Sequence, residues 1–253
     1  MIPIKTDREI EKMRTAGRIH AEILEMAGDM IKPGITTADI EIAVRKELKR
    51  HRVKSPFKGY RGYPAATCIS VNEEIVHGIP SRKKVIEEGA IVSIDLGIIY
   101  KGMITDAART FAAGQTDSES LTLIEKTREA FFNGASMAVE GNFLYDISFA
   151  IQKTIEGTGF SLVRDFVSHG TGRQLHEEPS FLNFGTPGTG PQLKAGMTLA
   201  IEPMVNRGDY RVMILSDGWT AVTQDGRRSA HYENTVLIRK NDYEILTEKG
   251  DIR

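Results

Sequence analysis

Apolar residues fall at helical spacing from the start of the chain. Ile10, Met13, Gly17, Ile23 and Leu24 recur at roughly three- and four-residue intervals behind Thr6 and Glu9, the pair that makes a capping box, and so predict a first helix. Pro33-Gly34 stops it. A second helix begins near Thr36 and carries Ile40, Val44 and Leu48 on one face. Residues 55–66 read as a Gly/Pro/Tyr loop, 67–71 as a short strand, and 72–80 as an exposed loop carrying His77. From Ile91 to Phe111 the period changes, and IVSIDLGIIYKGMITDAARTF reads as two apolar strands turning at Tyr100-Lys101-Gly102. A helix follows from Thr116 to about Val139. After the break at Gly141 another runs from Leu144 to Glu156. Beyond the Gly/Pro loop 185–191, residues 193–205 form one strand, and the remainder to Leu246 a meander of strands.

The hairpin poses an electrostatic problem. Each of its strands carries one aspartate inside an apolar run, Asp95 and Asp106. With Tyr100-Lys101 as a two-residue loop, position 99 faces 102 and position 95 faces 106, roughly 5 Å apart on one face. Two bare carboxylates there repel each other, and burying either unpaired is costly. A divalent cation between them is the leading expectation. The plain alternative, aspartate as a turn or cap residue, suits positions nearer the turn.

The pattern then repeats. Ile10-Glu11-Lys12-x-Arg14-x-Ala16 returns as Ile124-Glu125-Lys126-x-Arg128-x-Ala130. Gly34 with Asp39-Ile40 returns as Gly141 with Asp146-Ile147, and EEGAIVSID (87–95) returns as KAGMTLAIE (194–202). The last two matches share an offset of 107 (146 − 39 and 202 − 95). The chain therefore reads as a single domain, 1–253, built from two related halves, about 1–115 and 116–253. Asp95 and Glu202 become counterparts, while Asp106 has no counterpart in register.

Composition narrows the class. Hydrophobic content of 40% and charged content of 26% are ordinary for a soluble globular chain. A net charge of −1 supplies no drive toward DNA or an anionic membrane. No run approaches the ~20 apolar residues of a membrane span, and the charged start of the chain is unlike a secretory signal. The single cysteine, Cys68, excludes an internal disulfide and fits a reducing, cytoplasmic setting. The basic run Arg45, Lys46, Lys49, Arg50, Arg52, Lys54 and Lys58 reads first as a solvated helix end and second as a ribosome-facing patch. Nothing in the pattern suggests a coiled coil, so a monomer is expected.

Chemistry-bearing residues now converge: Asp95, Asp106, His169 in SHGTG, Glu202 in IEPM, and Glu233 in HYENTV at a strand start. Four carboxylates and one imidazole form a hard, oxygen-rich set that suits Mn, Fe, Co or Zn in a two-metal centre. Such ions lie roughly 3.5–4 Å apart and share a water. His77 and His176, both on Gly/Pro-flanked loops, are left to contact substrate.

In order and spacing, GYRGYPAATCISVNEEIVHGIP, IVSIDLG with TDAARTF, SHGTGRQLHEEP, GMTLAIEPM, and DGWT with HYENT resemble the type I methionine aminopeptidases across nearly the whole chain. The resemblance implies an α+β pita-bread fold, two pseudo-symmetric halves with helices packed on a curved antiparallel β-sheet. It implies Asp95, Asp106, His169, Glu202 and Glu233 as metal ligands, with Asp106 and Glu233 bridging two divalent ions (Co, Mn, Fe or Zn). It implies removal of the N-terminal methionine from peptides and nascent chains, favouring a small second residue, with the free α-amine lying against the metals. Glu202 would shuttle a proton, His176 would stabilise the oxyanion, and His77 would contact the scissile amide. Tyr60, Tyr63, Cys68, Leu175 and Trp219 would form the pocket for the methionine side chain, whose thioether gains about 0.3–1.5 kcal/mol against aromatic rings. Backbone carbonyls near Asn72 and Ser229 would hold a monovalent cation. Ser168 and Thr171 stand where the family commonly has Gly and Ile. Leu175 replaces an aromatic before the second histidine, and Phe57 a small residue. These departures are expected to reshape the pocket without touching a ligand.

Three rivals share parts of this pattern. Prolidases and aminopeptidase P use the same ligands but usually carry a long N-terminal domain, whereas the first helix here begins near residue 6. A type II enzyme needs a helical insertion for which the stretch between His176 and Glu233 leaves little room. A non-catalytic binding protein on this fold would have lost ligands that this chain keeps.

Overall fold

A computed structural model describes residues 2–249. Helix α1 (Asp7–Asp29) starts at its capping box: Thr6 accepts from the Glu9 N–H, and the Glu9 carboxylate accepts from the Thr6 N–H at 2.9 Å. Helix α2 (Thr37–Arg50) repeats the device with Thr36 and Asp39. Helices α3 (Ser118–Ala135) and α4 (Leu144–Ile155) complete the four α-helices among the described residues. The sequence pattern carries α3 on to Val139. It stops earlier because Val139 bridges to Arg239 and the Glu140 N–H donates to the Arg239 carbonyl, which pulls the segment out of the helix.

The strands are β1 (Thr67–Val71), β2 (Glu74–Val76), β3 (Ile91–Tyr100), β4 (Met103–Ala112), β5 (Ser161–Leu162), β6 (Ser168–Gly170) and β7 (Glu177–Phe181). Then follow β8 (Thr198–Ile201), β9 (Met204–Asn206), β10 (Val212–Ile214), β11 (Ala221–Thr223), β12 (Ser229–His231), β13 (Glu233–Ile238) and β14 (Tyr243–Ile245). The main sheet is antiparallel and curved, in the order β1-β3-β4-β13-β8-β6-β7, with β14 also on β13. Two three-stranded sheets, β10-β11-β2 and β12-β9-β5, stand beside it. The C-terminal strands are thus dispersed over three sheets rather than laid out as a meander. The single strand expected over 193–205 breaks at Glu202-Pro203, since proline has no N–H for the ladder. The 72–80 loop contains β2, and His77 at its end is half-buried rather than exposed.

Strand alternation separates core from site. Val92, Ile94, Leu96 and Ile98 of β3 pack with Ile23 and Leu24 of α1 and Ile40 and Val44 of α2. In the second half Leu199 and Ile201 of β8 and Val236 and Ile238 of β13 pack with Leu123 and Phe131 of α3 and Ile147 and Ile151 of α4. The helices therefore cover one face, and the intervening residues Asp95, Gly97, Ala200, Glu233 and Thr235 face the other way. Among the described residues no helix is long and apolar enough to cross a membrane.

The hairpin turns one residue later than counting from Tyr100-Lys101 gives. Tyr100 pairs with Met103, so the loop is Lys101-Gly102, with φ of 48° and 82°. Two positive φ values are what a tight hairpin turn matched to strand twist demands, and glycine supplies one without strain. As a result Asp95 faces Ala108 and Asp106 faces Gly97. The two acids are diagonal neighbours on one face, not directly opposed.

Helix α1 lies so close to the C-terminal segment that a Cβ at Gly17 would sit 1.8 Å from the Leu246 carbonyl oxygen. Gly17→Ala is expected to destabilise the protein by about 1–3 kcal/mol through this overpacking, against alanine's better helix propensity. A lowered melting temperature checks it; an unchanged one refutes the close approach.

Candidate metal centre

The sheet arranges the candidate ligands in two rows. Cys68 pairs with Asp95, Asp95 with Ala108, and Ala108 with Glu233. Glu202 lies one residue beyond the Ile201·Asn234 pair, opposite Glu233. In the next row Gly97 pairs with Asp106, and across the sheet Thr235 pairs with Ala200 and Ala200 with His169. Ala108 and Ala200 are small, which leaves room between the acids, whereas the missing side chain of Gly97 admits Pro56 and Phe57, which a Cβ there would meet at 2.5 and 2.9 Å.

Strands β4 and β13 meet at the middle of the sheet, paired at Ala108·Glu233 and Ala107·Asn234. About the Ala107·Asn234 pair, Asp106 and Glu233 hold equivalent places. Asp106 therefore does have a counterpart. Its offset is 127 (233 − 106) rather than 107 because the segment holding β9 to β12 separates Glu202 from Glu233. The Thr235 hydroxyl fixes the Asp106 backbone, accepting from its N–H at 2.8 Å and donating to its carbonyl at 2.9 Å.

Burial and mutual repulsion make this cluster hungry for positive charge. Burial raises the Asp95 pKa to about 7. Burial first, then the charge of Asp95, holds Asp106 well above the carboxylate range. Burial and the neighbouring acids do the same for Glu202 and Glu233. His169 is lowered to about 3 by burial and then by His176. Its Nδ1 lies 2.9 Å from the Gly170 carbonyl, so the proton sits there and the Nε2 lone pair faces Glu202 Oε1 at 3.3 Å. Asp95 Oδ1 and Asp106 Oδ1 are buried with no hydrogen-bond partner. Asp106, His169 and Glu233 each offer a donor atom within 4.8 Å of the others, and so do Glu202, His231 and Glu233. Orphaned carboxylate oxygens and an outward-facing imidazole fit a hard or borderline divalent cation.

Glu202 is clamped through its backbone. The Ser168 hydroxyl accepts from the Glu202 N–H at 3.0 Å and donates to Asn183 Oδ1 at 2.7 Å, while Asn183 Nδ2 donates to the Glu202 carbonyl at 3.0 Å. This corrects the expectation that the family departures leave the ligands untouched. Ser168 is hydrogen-bonded to one, which its position on β6 beside β8 allows and a glycine could not do.

A cavity of about 240 Å³ is lined by all five candidate ligands together with Tyr60, Tyr63, Cys68, His77, Leu175, His176 and Trp219. Phe57 and Arg61 line it too. Trp219 meets Tyr63 edge-on at 5.0 Å, and the Tyr63 hydroxyl donates to the Thr67 and Gly78 carbonyls. The Tyr60 hydroxyl lies 2.7 Å from His176 Nδ1 at the open rim. Burial pushes the Cys68 thiol up, so it is a neutral wall residue. His77 is lowered to about 4 by burial and then by His176, and its φ of 62° is a backbone cost of the kind retained at functional sites. The Ser229 N–H donates to the Asn72 carbonyl at 2.9 Å, so the two segments expected at the monovalent-cation site do meet.

Sequence reasoning passed over Arg61 and His231. Arg61 lay inside the quoted GYRGYP segment. His231 stands two residues before Glu233 in HYENT, and strand alternation alone puts both on one face.

Comparison with known proteins agrees with this geometry. The model of metallopeptidase family M24 matches residues 11–240. The methionine aminopeptidase of Clostridium acetobutylicum is 52% identical over 247 residues, covering 98% of this chain and 99% of that one. Methionine aminopeptidase 1 of Bacillus subtilis is 44% identical over 98% of this chain and 99% of its own length. The crystal structure of methionine aminopeptidase from Thermotoga maritima superposes with a TM-score of 0.97 at 52% identity, covering 98% of this chain and all of that one. The prolidase from Pyrococcus furiosus, at 24% identity and a TM-score of 0.79, shares the fold over 66% of its length.

Proposed function

The chain belongs to metallopeptidase family M24, and we propose that it is a methionine aminopeptidase of type I. It removes the N-terminal methionine from peptides and nascent proteins in a divalent-metal-dependent hydrolysis, with a preference for a small second residue. The observation that carries the reading is that the carboxylate–histidine cluster and an apolar slot of suitable size form one cavity.

Asp95, Asp106, His169, Glu202 and Glu233 would hold two divalent ions. When bound, the ions polarise a water and the scissile carbonyl and lower the pKa of that water. Glu202, its backbone held by Ser168 and Asn183, takes the proton of the attacking water and delivers it to the leaving amine. His77 and His176 both have lowered pKa values and stand neutral at neutral pH. Each offers an N–H, His176 to the developing oxyanion and His77 to the amide. Tyr63, Cys68, Leu175 and Trp219 exclude water from the methionine side chain, and Phe57 narrows the slot beside them. Tyr60 orients His176 through its hydroxyl.

The two halves are proposed copies of one unit within a single catalytic domain acting as a monomer in the cytoplasm. The seven basic side chains between Arg45 and Lys58 are all exposed, which supports a surface turned toward the ribosome. Backbone carbonyls near Asn72 and Ser229 are proposed to hold a monovalent cation.

The test is hydrolysis of Met-Ala-Ser and of Ala-Pro after reconstitution with Mn, Fe, Co or Zn. Cleavage of Met-Ala-Ser with no attack on Ala-Pro is expected. The opposite preference would replace this reading with a prolidase-like one.

A further inference from the structure

His231 has an unusual position for a residue so far given no role. It is fully buried, and neither ring nitrogen has a hydrogen-bond partner. Its backbone leaves it little freedom: it lies opposite Met204 in the β12–β9 pair, its N–H donates to the Thr110 hydroxyl at 2.8 Å, and its carbonyl accepts from that hydroxyl at 2.9 Å. So held, the ring presents Nε2 at 3.7 Å from Glu202 Oε2 and 4.0 Å from Glu233 Oε2. The other oxygen of Glu202 faces His169 Nε2 at 3.3 Å. The Glu202 carboxylate therefore lies between two imidazoles.

The two rings differ in what stands behind them. His169 gives its Nδ1 proton to the Gly170 carbonyl, which frees Nε2 as a lone-pair donor. His231 has no protein acceptor behind Nδ1. Were its Nε2 to act as a lone-pair donor, the Nδ1–H would be a buried orphan, at a cost of about 1–3 kcal/mol. With the proton on Nε2 instead, the N–H points at carboxylate oxygens and only a lone pair is left unpaired, the better-tolerated kind of orphan. Reaching an ordinary hydrogen-bond length of roughly 2.9 Å needs a movement under about 1 Å.

We propose that His231 is a positioning residue that donates its Nε2–H to the Glu202 carboxylate, fixing the orientation in which that acid meets the metal centre. The inference rests on Glu202 acting at that centre as read above. Outer partners of this kind typically change metal affinity by about 10–100-fold when removed.

Calorimetric titration of the metal-stripped protein with Co²⁺ tests it, using the natural chain, His231→Leu and His231→Gln. The leucine variant is expected to bind about 10–100-fold more weakly. The glutamine variant, whose amide also donates, is expected to remain within a few-fold of the natural chain. Leucine binding as tightly as histidine, or glutamine losing as much as leucine, overturns the proposal. Failure of the natural chain to bind Co²⁺ would instead remove the metal-centre reading itself. A second measurement needs no variant. Imidazole ¹⁵N shifts of the Zn²⁺-loaded natural chain should show the His231 proton on Nε2; a proton on Nδ1 overturns the proposal even if the leucine variant does not fold.

Discussion

Asp106→Asn is expected to yield a folded protein that neither retains divalent metal through gel filtration nor cleaves Met-Ala-Ser. Asparagine keeps the shape of the side chain and removes its charge. The site depends on that charge: Asp106 is buried at the centre of the sheet, its Oδ1 has no protein partner, and it shares one face with Asp95 and Glu233. Loss of a direct ligand should exceed the ~10–100-fold penalty of losing an outer one. A second consequence has the opposite sign. In metal-free protein Asp106 is one of four mutually repelling acids, held well above its ordinary pKa by burial and by Asp95. The metal-free variant should therefore melt above the metal-free natural chain at neutral pH. Two tightly bound ions and full turnover in the variant would sink the ligand assignment.

Stripping the metal with a chelator should lower the melting temperature, and by more at pH 8 than at pH 6. Burial lifts Asp95 to about 7 and raises Asp106, Glu202 and Glu233 well above their ordinary values. Above the unfolded carboxyl value of about 4, these four acids bind more protons in the metal-free native state than in the unfolded chain, so their contribution to stability falls as pH rises through the raised values. Bound cations reverse this, because they neutralise the ionised acids. The gap between loaded and stripped protein widens with pH. Burial lowers His20, His77, His169, His176 and His231 as well, so these rings are neutral between pH 6 and 8 in the stripped protein; a nearby cation only favours the neutral form further, and they cancel from the comparison. At ion concentrations near 100 times Kd the loaded form gains about 2.7 kcal/mol. At roughly 2–4 °C per kcal/mol for a chain of this size, that is about 5–10 °C. A gap independent of pH would mean that the acids do not carry the metal.

The prolidase-like rival and this reading share a fold, so fold alone does not separate them. At 24% identity the Pyrococcus furiosus prolidase supports the architecture and nothing finer. The methionine aminopeptidases of Clostridium acetobutylicum and Thermotoga maritima match at 52% identity over nearly the whole of both chains, and the slot built by Tyr63, Cys68, Leu175 and Trp219 suits an unbranched thioether.

Local signals carried most of what the sequence determined. Both early helices begin at the capping boxes that Thr6/Glu9 and Thr36/Asp39 spell out, because a cap involves only residues three apart. The two strands of 91–111 and the placing of Asp95 and Asp106 on one face were legible in the sequence, because a strand's period of two is a property of its own backbone and survives the one-residue error in the turn. The five candidate ligands and the histidines of the loops were legible for the same reason, as single residues in strongly patterned surroundings. The tertiary structure alone decided what depended on partners far along the chain. It set the hairpin turn at Lys101-Gly102, brought β13 against β4 so that Glu233 became the counterpart of Asp106, and put Ser168 and Asn183 around the backbone of Glu202. It also turned the ring of His231 toward two acids. Those contacts join residues from different strands, and which strands become neighbours follows from how two separate cores pack on one curved sheet.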